Sequence, residues 1–258
     1  MTPLVYLVRH GEVEHHRTDV NLTPRGRTQA ETAGAALADL LAEGDTVLLY
    51  HSPVKRVKET ADLMHASIHA ALKTSGRDDR VHLHAPRQDQ ALCNVRFIAA
   101  PGEEPEEPSL LHARFNAPAF LQGLPAARAD FYRGFWASAD PMGYWLTHDS
   151  AGGAETVEVV LARLRERLRS LFAPNAHAVE ETPSRRGRTH WVGITHSGAM
   201  RALLRAAFGD DPGEPGFCEG ILVEPSEQSG QATLSYRGRS VLLNLAYPLT
   251  PDTRHPTT

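Results

Sequence analysis

Leu4-Val5-Tyr6-Leu7-Val8 is a run of apolar residues, and Arg9-His10-Gly11-Glu12 follows it directly. A short apolar run rich in β-branched and aromatic side chains is typical of a buried strand. In open α/β sheets, ligands bind at the edge formed by the carboxyl ends of the strands. The sequence therefore predicts that Arg9 and His10 emerge at a ligand-binding edge. A histidine beside a fixed cation, followed by a glycine that lets the backbone approach closely, suits attack on a phosphoryl group.

The composition is that of an ordinary soluble globular protein. The 258 residues are 41% hydrophobic and 22% charged, enough for one large α/β domain or two small ones. A net charge of −4 argues against a nucleic-acid partner held by a general basic surface. Cys93 and Cys218 are too few for a disulfide framework and fit a reducing compartment. With no visible secretory signal or membrane span, we expect a cytoplasmic protein with no membrane partner.

The first half of the chain alternates strand and helix signals. Thr23 is predicted to cap a helix with Pro24 at its first position, and Gly44 to end it. Ser52 and Pro53 repeat the signal and predict a second helix that runs to about Met64. Strands are expected over residues 46–50 and 81–83.

Residues 86–150 are predicted to form a helical insertion. The segment 102–108 is acidic and broken by prolines, and it is expected to be exposed. Residues 114–145 hold eight aromatic side chains. Two interpretations stay open and are compatible: the insertion buries its aromatics against the main sheet, or it forms a cap that covers a substrate.

The second half repeats the alternation. A helix is predicted over residues 155–172, a polar linker over 174–188, a strand over 191–195 and a helix over 199–208. Late strands are expected over residues 221–224, 233–236 and 241–246, and a frayed tail over about 248–258. The whole pattern predicts an α/β protein, a three-layer α/β/α sandwich with a mostly parallel central sheet, in one domain over residues 1–258.

Two further junctions between strand and helix carry candidate anion ligands. Arg56 follows the second strand and falls in the first turn of a helix, where free N–H groups and a guanidinium can bind phosphate. An ordinary surface arginine paired with Glu59 is the alternative. His196 follows the strand that ends at Thr195, where a lone histidine is more often structural. Three such junctions at one sheet edge favour a joint phosphate site.

These segments resemble the histidine phosphatase superfamily, whose fold is called phosphoglycerate mutase-like. The matching segments, in order, are Arg9-His10-Gly11-Glu12, Leu22-Thr23-Pro24-Arg25-Gly26-Arg27-Thr28-Gln29-Ala30, Ser52-Pro53 through Arg56 with Thr60-Ala61, Gly152-Gly153-Ala154-Glu155-Thr156 and Thr195-His196-Ser197-Gly198. The resemblance implies that His10 is a nucleophile that becomes phosphohistidine, and that Arg9, Arg56 and His196 hold the phosphoryl oxygens. It also implies that no metal or other cofactor is needed.

The sequence departs from the family at the proton donor. Many members carry a glutamate in a leucine-x-glutamate pattern after the third strand, whereas Leu92 is followed here by Cys93 and Asn94. An amide does not donate a proton usefully, so Asp89 is the candidate acid. Glu12 and Glu155 are further possibilities, and each can instead orient its neighbours.

Four residues are candidates for substrate binding: Glu12, His16, Glu155 and Ser197. His15 and His16 both occupy the loop where members often place an asparagine near the phosphate, and either could contact substrate. For loop histidines the alternative is exposure to solvent.

The function predicted is that of a metal-independent phosphomonoesterase, a histidine acid phosphatase-type hydrolase acting on a small-molecule phosphate ester. Two alternatives remain. One is a phosphoglycerate mutase-type phosphotransferase, although the long segments typical of such mutases are missing. The other is a catalytically weak module that binds a phosphate group. Retention of His10, Arg9, Arg56 and His196 together argues against the second alternative.

Overall fold

A computed structural model describes residues 3–100, 102–173, 187–228 and 230–245. Its strands are β1 (Leu4–Arg9), β2 (Thr46–His51), β3 (His82–Leu83), β4 (Arg87–Gln88), β5 (Thr189–Thr195), β6 (Gly220–Pro225), β7 (Gln231–Tyr236) and β8 (Arg239–Asn244). Its helices are α1 (Pro24–Leu40), α2 (Lys55–Thr74), α3 (Pro108–Phe115), α4 (Pro118–Gln122), α5 (Ala126–Ala137), α6 (Pro141–Thr147), α7 (Val157–Phe172) and α8 (Ser197–Phe208).

All of these strands belong to one sheet. Its order is β3-β2-β5-β1-β6-β7-β8, and β4 also pairs with β2. The pairs among β1, β2, β3, β4 and β5 are parallel, whereas β6, β7 and β8 extend the sheet in antiparallel fashion from β1. This arrangement confirms the predicted three-layer fold with a mostly parallel centre.

The two faces of the sheet bury separate apolar clusters. Alternate residues of a strand point to opposite faces, so Leu7 packs on one side and Val8 on the other. Helices α1 and α2 cover the Val8 side. Helices α7 and α8, together with the insertion, cover the Leu7 side. Strand β5 is buried along its whole length, as expected for a central strand covered on both faces.

The insertion packs around its own aromatic side chains. Phe97 lies at the centre, with its ring centroid 4.8 Å from that of Phe135 and 5.7 Å from that of Tyr132. The rings of Phe115 and Tyr132 stack at 4.1 Å. These rings join the same apolar cluster as the Leu7 face of the sheet, so the first interpretation of the insertion is confirmed.

Several element boundaries differ from those predicted. Helix α2 begins at Lys55 with Val54 as its N-cap, so Ser52 does not cap it, and the helix extends ten residues beyond Met64 to Thr74. Helix α7 begins at Val157 and is capped by the Thr156 side chain, which leaves Glu155 outside the helix. Helix α1 ends at Leu40, before Gly44.

The acidic segment 102–108 is not exposed throughout. Its residues 102–104 are exposed, but Glu107 and Pro108 are buried. That part of the prediction was wrong because Glu107 and Pro108, at the start of α3, line a pocket inside the protein. The predicted frayed tail and most of the predicted linker fall outside the residues described. None of the helices in the described ranges is both long and apolar enough to span a bilayer.

Candidate active site

Three adjacent parallel strands end side by side and deliver the predicted residues to one edge. Arg9 is the last residue of β1 and pairs with Thr195 at the end of β5, while His51 at the end of β2 pairs with Ile194. The backbone N–H of His10 donates to the carbonyl oxygen of Thr195 at 3.0 Å. His10, Arg56 and His196 therefore enter a common site directly after these strands.

The loop that carries His10 is fixed by close backbone contacts. The N–H of Gly11 donates to Oγ1 of Thr60 on α2 at 3.0 Å. A Cβ on Gly11 would lie 2.5 Å from the carbonyl oxygen of Gly26, and a Cβ on Gly26 would lie 2.2 Å from that of Glu12. Only glycine at both positions allows the first turns of α1 to pack this closely against the loop.

The hydrogen bond of His10 identifies its reactive nitrogen. Nδ1 lies 2.7 Å from the carbonyl oxygen of Gly11, which can only accept, so Nδ1 carries the proton and Nε2 holds the free lone pair. Burial, followed by the nearby charge of Arg56, lowers the pKa of His10 well below its usual value. The imidazole is therefore neutral, as a nucleophile must be.

Arg56 is a buried cation with unused donors. Its side chain is 2% exposed, and among the described residues its Nε and Nη1 have no hydrogen-bond partner. Its ion pairs are long, 3.6 Å to Glu107 and 4.0 Å to Asp19. Glu59, the partner in the alternative interpretation, binds Arg27 instead, at 2.7 Å. A guanidinium in this state suits an anionic ligand.

His196 lies between Arg56 and Ser52. Its Nδ1 accepts from Nη2 of Arg56 at 3.4 Å, so Nε2 carries the proton and donates to Oγ of Ser52 at 2.7 Å. The ring centroids of His196 and His10 are 5.5 Å apart. Burial and then the charge of Arg56 lower the pKa of His196 well below its usual value. Ser52, predicted as a helix cap, is thus a partner of this histidine.

Arg9 is held by the loop between α8 and β6. Its Nη2 lies 2.8 Å from Oε1 of Glu214, and its Nη1 donates to the carbonyl oxygen of Pro215. The guanidinium carbon lies 4.1 Å from the centroid of the Phe217 ring. Sequence reasoning missed this loop, since no local pattern relates Glu214 to a residue near the N-terminus.

These residues surround a pocket of about 320 Å³. Its lining includes the candidate site residues Arg9, His10, His16, Arg56, His196 and Ser197. The insertion contributes Pro108, Ser109, Phe135, Trp136, Ala139, Asp140, Pro141 and Met142 to the same lining. The insertion therefore also forms part of the pocket, while its action as a cap over a substrate stays a prediction.

Glu107 and Asn94 line the same pocket. The Glu107 side chain is 5% exposed, and its Oε1 lies 3.2 Å from Nε2 of His196. Burial raises the pKa of Glu107 to about 7. The amide of Asn94 packs against Gly198, where a Cβ would lie 2.4 Å from Oδ1 of Asn94. Sequence reasoning missed Glu107; the available signal was an acidic residue followed by Pro108 at a helix start.

Three predicted carboxylates lie outside this pocket. Asp89 binds Arg167 at 2.7 Å and accepts from the N–H of Ala91, so the structure does not bring it to His10. The remaining two bind neighbours outside the pocket: Glu12 accepts from Oγ1 of Thr23 at 3.0 Å, and Glu155 lies 2.6 Å from Arg96 and 2.8 Å from Arg163.

The other two predicted binding residues are brought to the pocket. The ring centroid of His16 lies 5.6 Å from that of His10, and burial lowers the pKa of His16 to about 4. Oγ of Ser197 donates to Glu214 at 2.9 Å. Within the described ranges, no three His, Cys, Asp or Glu side chains are grouped so that they could hold a metal ion.

The chain is similar to known proteins in sequence over its first third and in fold over most of its length. Residues 5–77 match the family model of the histidine phosphatase superfamily (branch 1). Among solved structures, mycobacterial hydrolase 1 is 20% identical with a TM-score of 0.52, over 93% of this chain and 100% of its own. A mycobacterial glucosyl-3-phosphoglycerate phosphatase, solved with inorganic phosphate, is 20% identical with a TM-score of 0.50, over 92% and 97%. A search of curated proteins found no significant match.

At 20% identity, the similarity to these solved structures shows only the fold. That fold is the phosphoglycerate mutase-like α/β fold. The match to the family model covers the segment that carries Arg9, His10 and Arg56.

Proposed function

We propose that this chain is a metal-independent phosphomonoesterase that hydrolyses a small phosphate ester through phosphohistidine at His10. The observation that carries the proposal is the state of His10, buried and neutral with its free lone pair on Nε2, in a pocket it shares with Arg56. A nucleophile and a buried cation with free donors are two of the requirements of phosphoryl transfer from an ester.

The chemistry follows from the charges. A phosphate monoester carries nearly two negative charges near pH 7, which Arg9 and Arg56 neutralise. The two guanidiniums also stabilise the charge that spreads over the equatorial oxygens during transfer. Nε2 of His10 attacks phosphorus and the ester oxygen departs; water then attacks the phosphohistidine and releases phosphate.

The pocket wall favours hydrolysis over a phosphoglycerate mutase reaction. A mutase must hold a second anionic group, yet Arg9 and Arg56 are the only Lys or Arg among the pocket-lining residues that the structure describes. Beyond them the wall is largely apolar, with Phe135, Trp136 and Met142. This wall suits a leaving group that is uncharged and partly apolar.

The proposal is tested by hydrolysis of p-nitrophenyl phosphate in EDTA. Wild-type protein is expected to turn over, His10→Ala is expected to be inactive, and His69→Ala, which alters an exposed histidine of α2, should match wild type. Rapid quenching with ³²P-labelled substrate should label wild type and leave His10→Ala unlabelled. Undiminished turnover in His10→Ala would defeat the mechanism.

The same protein distinguishes the two alternatives. Transfer of phosphate between positions of phosphoglycerate at a rate above hydrolysis would favour a mutase. Binding of inorganic phosphate without turnover of any ester would favour the binding module.

We further propose that residues 1–258 act as one catalytic domain in the cytoplasm, where free Cys93 and Cys218 would stay reduced.

A further inference from the structure

The proposed reaction needs a proton donor that the predicted carboxylates do not supply. An alcohol leaves a phosphate ester readily only when its oxygen is protonated. Asp89, Glu12 and Glu155 are bound to other groups outside the pocket. Asn94 does line the pocket, but its amide has no acidic proton to give.

We propose that Glu107, which the insertion places in the pocket, is the general acid and base of this site. It donates the proton that the amide of Asn94 cannot supply. The inference rests on the proposed phosphatase function. Its geometric basis is that the carboxylate lines the pocket together with His10, 3.2 Å from Nε2 of His196 and 3.6 Å from Nη2 of Arg56.

The backbone explains how residue 107 reaches the neighbourhood of residue 94. Phe97 and Glu106 form an isolated antiparallel bridge, with N–H···O bonds of 2.7 and 2.9 Å in the two directions. This bridge lies between the two residues in sequence and closes the loop from 97 to 106. Glu107 is therefore presented beside the segment that carries Asn94.

A structural role as a helix cap does not account for the Glu107 side chain. Glu107 occupies the N-cap of α3, where a polar side chain commonly accepts from the first N–H groups of the helix. Its side chain makes no such bond, and neither carboxylate oxygen has a hydrogen-bond partner within the described ranges. A buried carboxylate without hydrogen bonds is costly and is a common feature of catalytic sites.

The charges around Glu107 suit an acid that works near neutral pH. Burial raises its pKa to about 7, the cation Arg56 opposes this, and Asp19 adds to it. The charge of Arg163 lowers the pKa of Glu107 and that of Glu155 raises it. His196 is neutral and adds no charge. The group can therefore be protonated before the first step and ionised after it.

Both steps balance with this residue. As Nε2 of His10 forms its bond to phosphorus, the phosphorus–oxygen ester bond breaks and the leaving oxygen takes the proton of Glu107. In the second step the Glu107 carboxylate takes a proton from water as its oxygen attacks phosphorus. The phosphorus–nitrogen bond then breaks, its electron pair returns to Nε2, and the products are the alcohol and phosphate.

The test compares Glu107→Gln with wild type on two esters, p-nitrophenyl phosphate and n-butyl phosphate. A nitrophenolate leaves without help, whereas butoxide needs a proton. We expect kcat/KM for the butyl ester to fall by about 10²- to 10⁴-fold, and that for the nitrophenyl ester to fall far less. Asp89→Asn is the matched control and should change neither value. Thermal unfolding verifies that each variant is folded.

A second variant tests the assignment if the first is ambiguous. In Asn94→Glu/Glu107→Gln a carboxyl group returns to the pocket, and part of the lost activity on the butyl ester should return. Equal losses on both esters would show that Glu107 only positions His196 and Arg56. A loss confined to the butyl ester in Asp89→Asn would assign the acid to Asp89 instead.

Labelling separates this inference from the proposed function. Glu107→Gln should still form ³²P-phosphohistidine from the nitrophenyl ester. If wild type turns over and forms the adduct but Glu107→Gln hydrolyses the butyl ester normally, only the Glu107 inference is wrong. If wild type forms no adduct at His10, both are wrong.

Discussion

The guanidinium of Arg201 on α8 binds both carboxylate oxygens of Asp140, at 2.5 and 2.9 Å. Asp140 is the N-cap of α6 in the insertion, and it lines the pocket. Arg201 also binds Asp211 and Glu214 in the loop that holds Arg9. One side chain, 2% exposed, thus connects the helix after His196 with the insertion and with the loop that holds Arg9.

Arg201→Met is therefore expected to loosen the insertion and this loop. Because the three carboxylates keep access to solvent, we expect a loss of about 2 kcal/mol in the free energy of unfolding, below the usual cost of breaking a fully buried pair. KM for p-nitrophenyl phosphate should rise. Urea unfolding and steady-state kinetics measure the two effects. The control is Arg133→Met, whose exposed pair with Asp130 should contribute little; similar losses in both variants would contradict the prediction.

Arg56→Ala is expected to lower kcat/KM by about 10²- to 10³-fold, roughly 3 kcal/mol of barrier, because a buried donor to the transferring phosphoryl group is lost. Arg56→Lys should recover only part of this, since an ammonium lacks the planar fork. Lys58→Ala removes an exposed cation from the same helix and should leave the kinetics unchanged. An effect of Lys58→Ala as large as that of Arg56→Ala would point to general surface charge.

Glu107→Gln is expected to change how stability depends on pH. The pKa of Glu107 is about 7 in the folded protein, above its ordinary value of 4.5, so the folded state binds the proton more tightly. Wild type should therefore lose stability as pH rises from about 4.5 to about 7, by roughly 3 kcal/mol in all. Because a glutamine side chain has no charge to bury, Glu107→Gln should not show this loss of stability.

Urea unfolding of both proteins at pH 4.5 and pH 8 measures the difference. The free energy of unfolding of Glu107→Gln minus that of wild type should be larger at pH 8 than at pH 4.5. A difference that is the same at both pH values would show that Glu107 titrates normally. Glu104→Gln, which alters an exposed residue of the same acidic segment, is the control.

Gly26→Ala is expected to destabilise the protein, although alanine normally favours a helix interior over glycine. Its Cβ would lie 2.2 Å from the carbonyl oxygen of Glu12, so α1 or the His10 loop must shift. We expect a loss of about 1–3 kcal/mol on urea unfolding, together with reduced turnover. At Gly123 the nearest atom to an added Cβ is 3.5 Å away, so Gly123→Ala should be nearly neutral. A stabilised Gly26→Ala would contradict the close packing.

The sequence by itself determined the alternation of strands and helices and the edge at which Arg9, His10, Arg56 and His196 meet. These features follow from local rules: apolar runs form the strands, and parallel strands bring whatever follows them to one edge. Ser52 shows where such rules end, because a serine before proline carries the same signal whether it caps a helix or binds a histidine.

Only the tertiary structure decided which carboxylates face the pocket. Asp89 and Glu107 are both acidic residues in irregular segments, and no periodic pattern states where either side chain points. The bridge between Phe97 and Glu106 and the aromatic packing of the insertion bring Glu107 in, while an ion pair with Arg167 keeps Asp89 out. Glu214 reaches Arg9 in the same way. Such contacts join residues distant in sequence, and their energy depends on burial that exists only once the chain has folded.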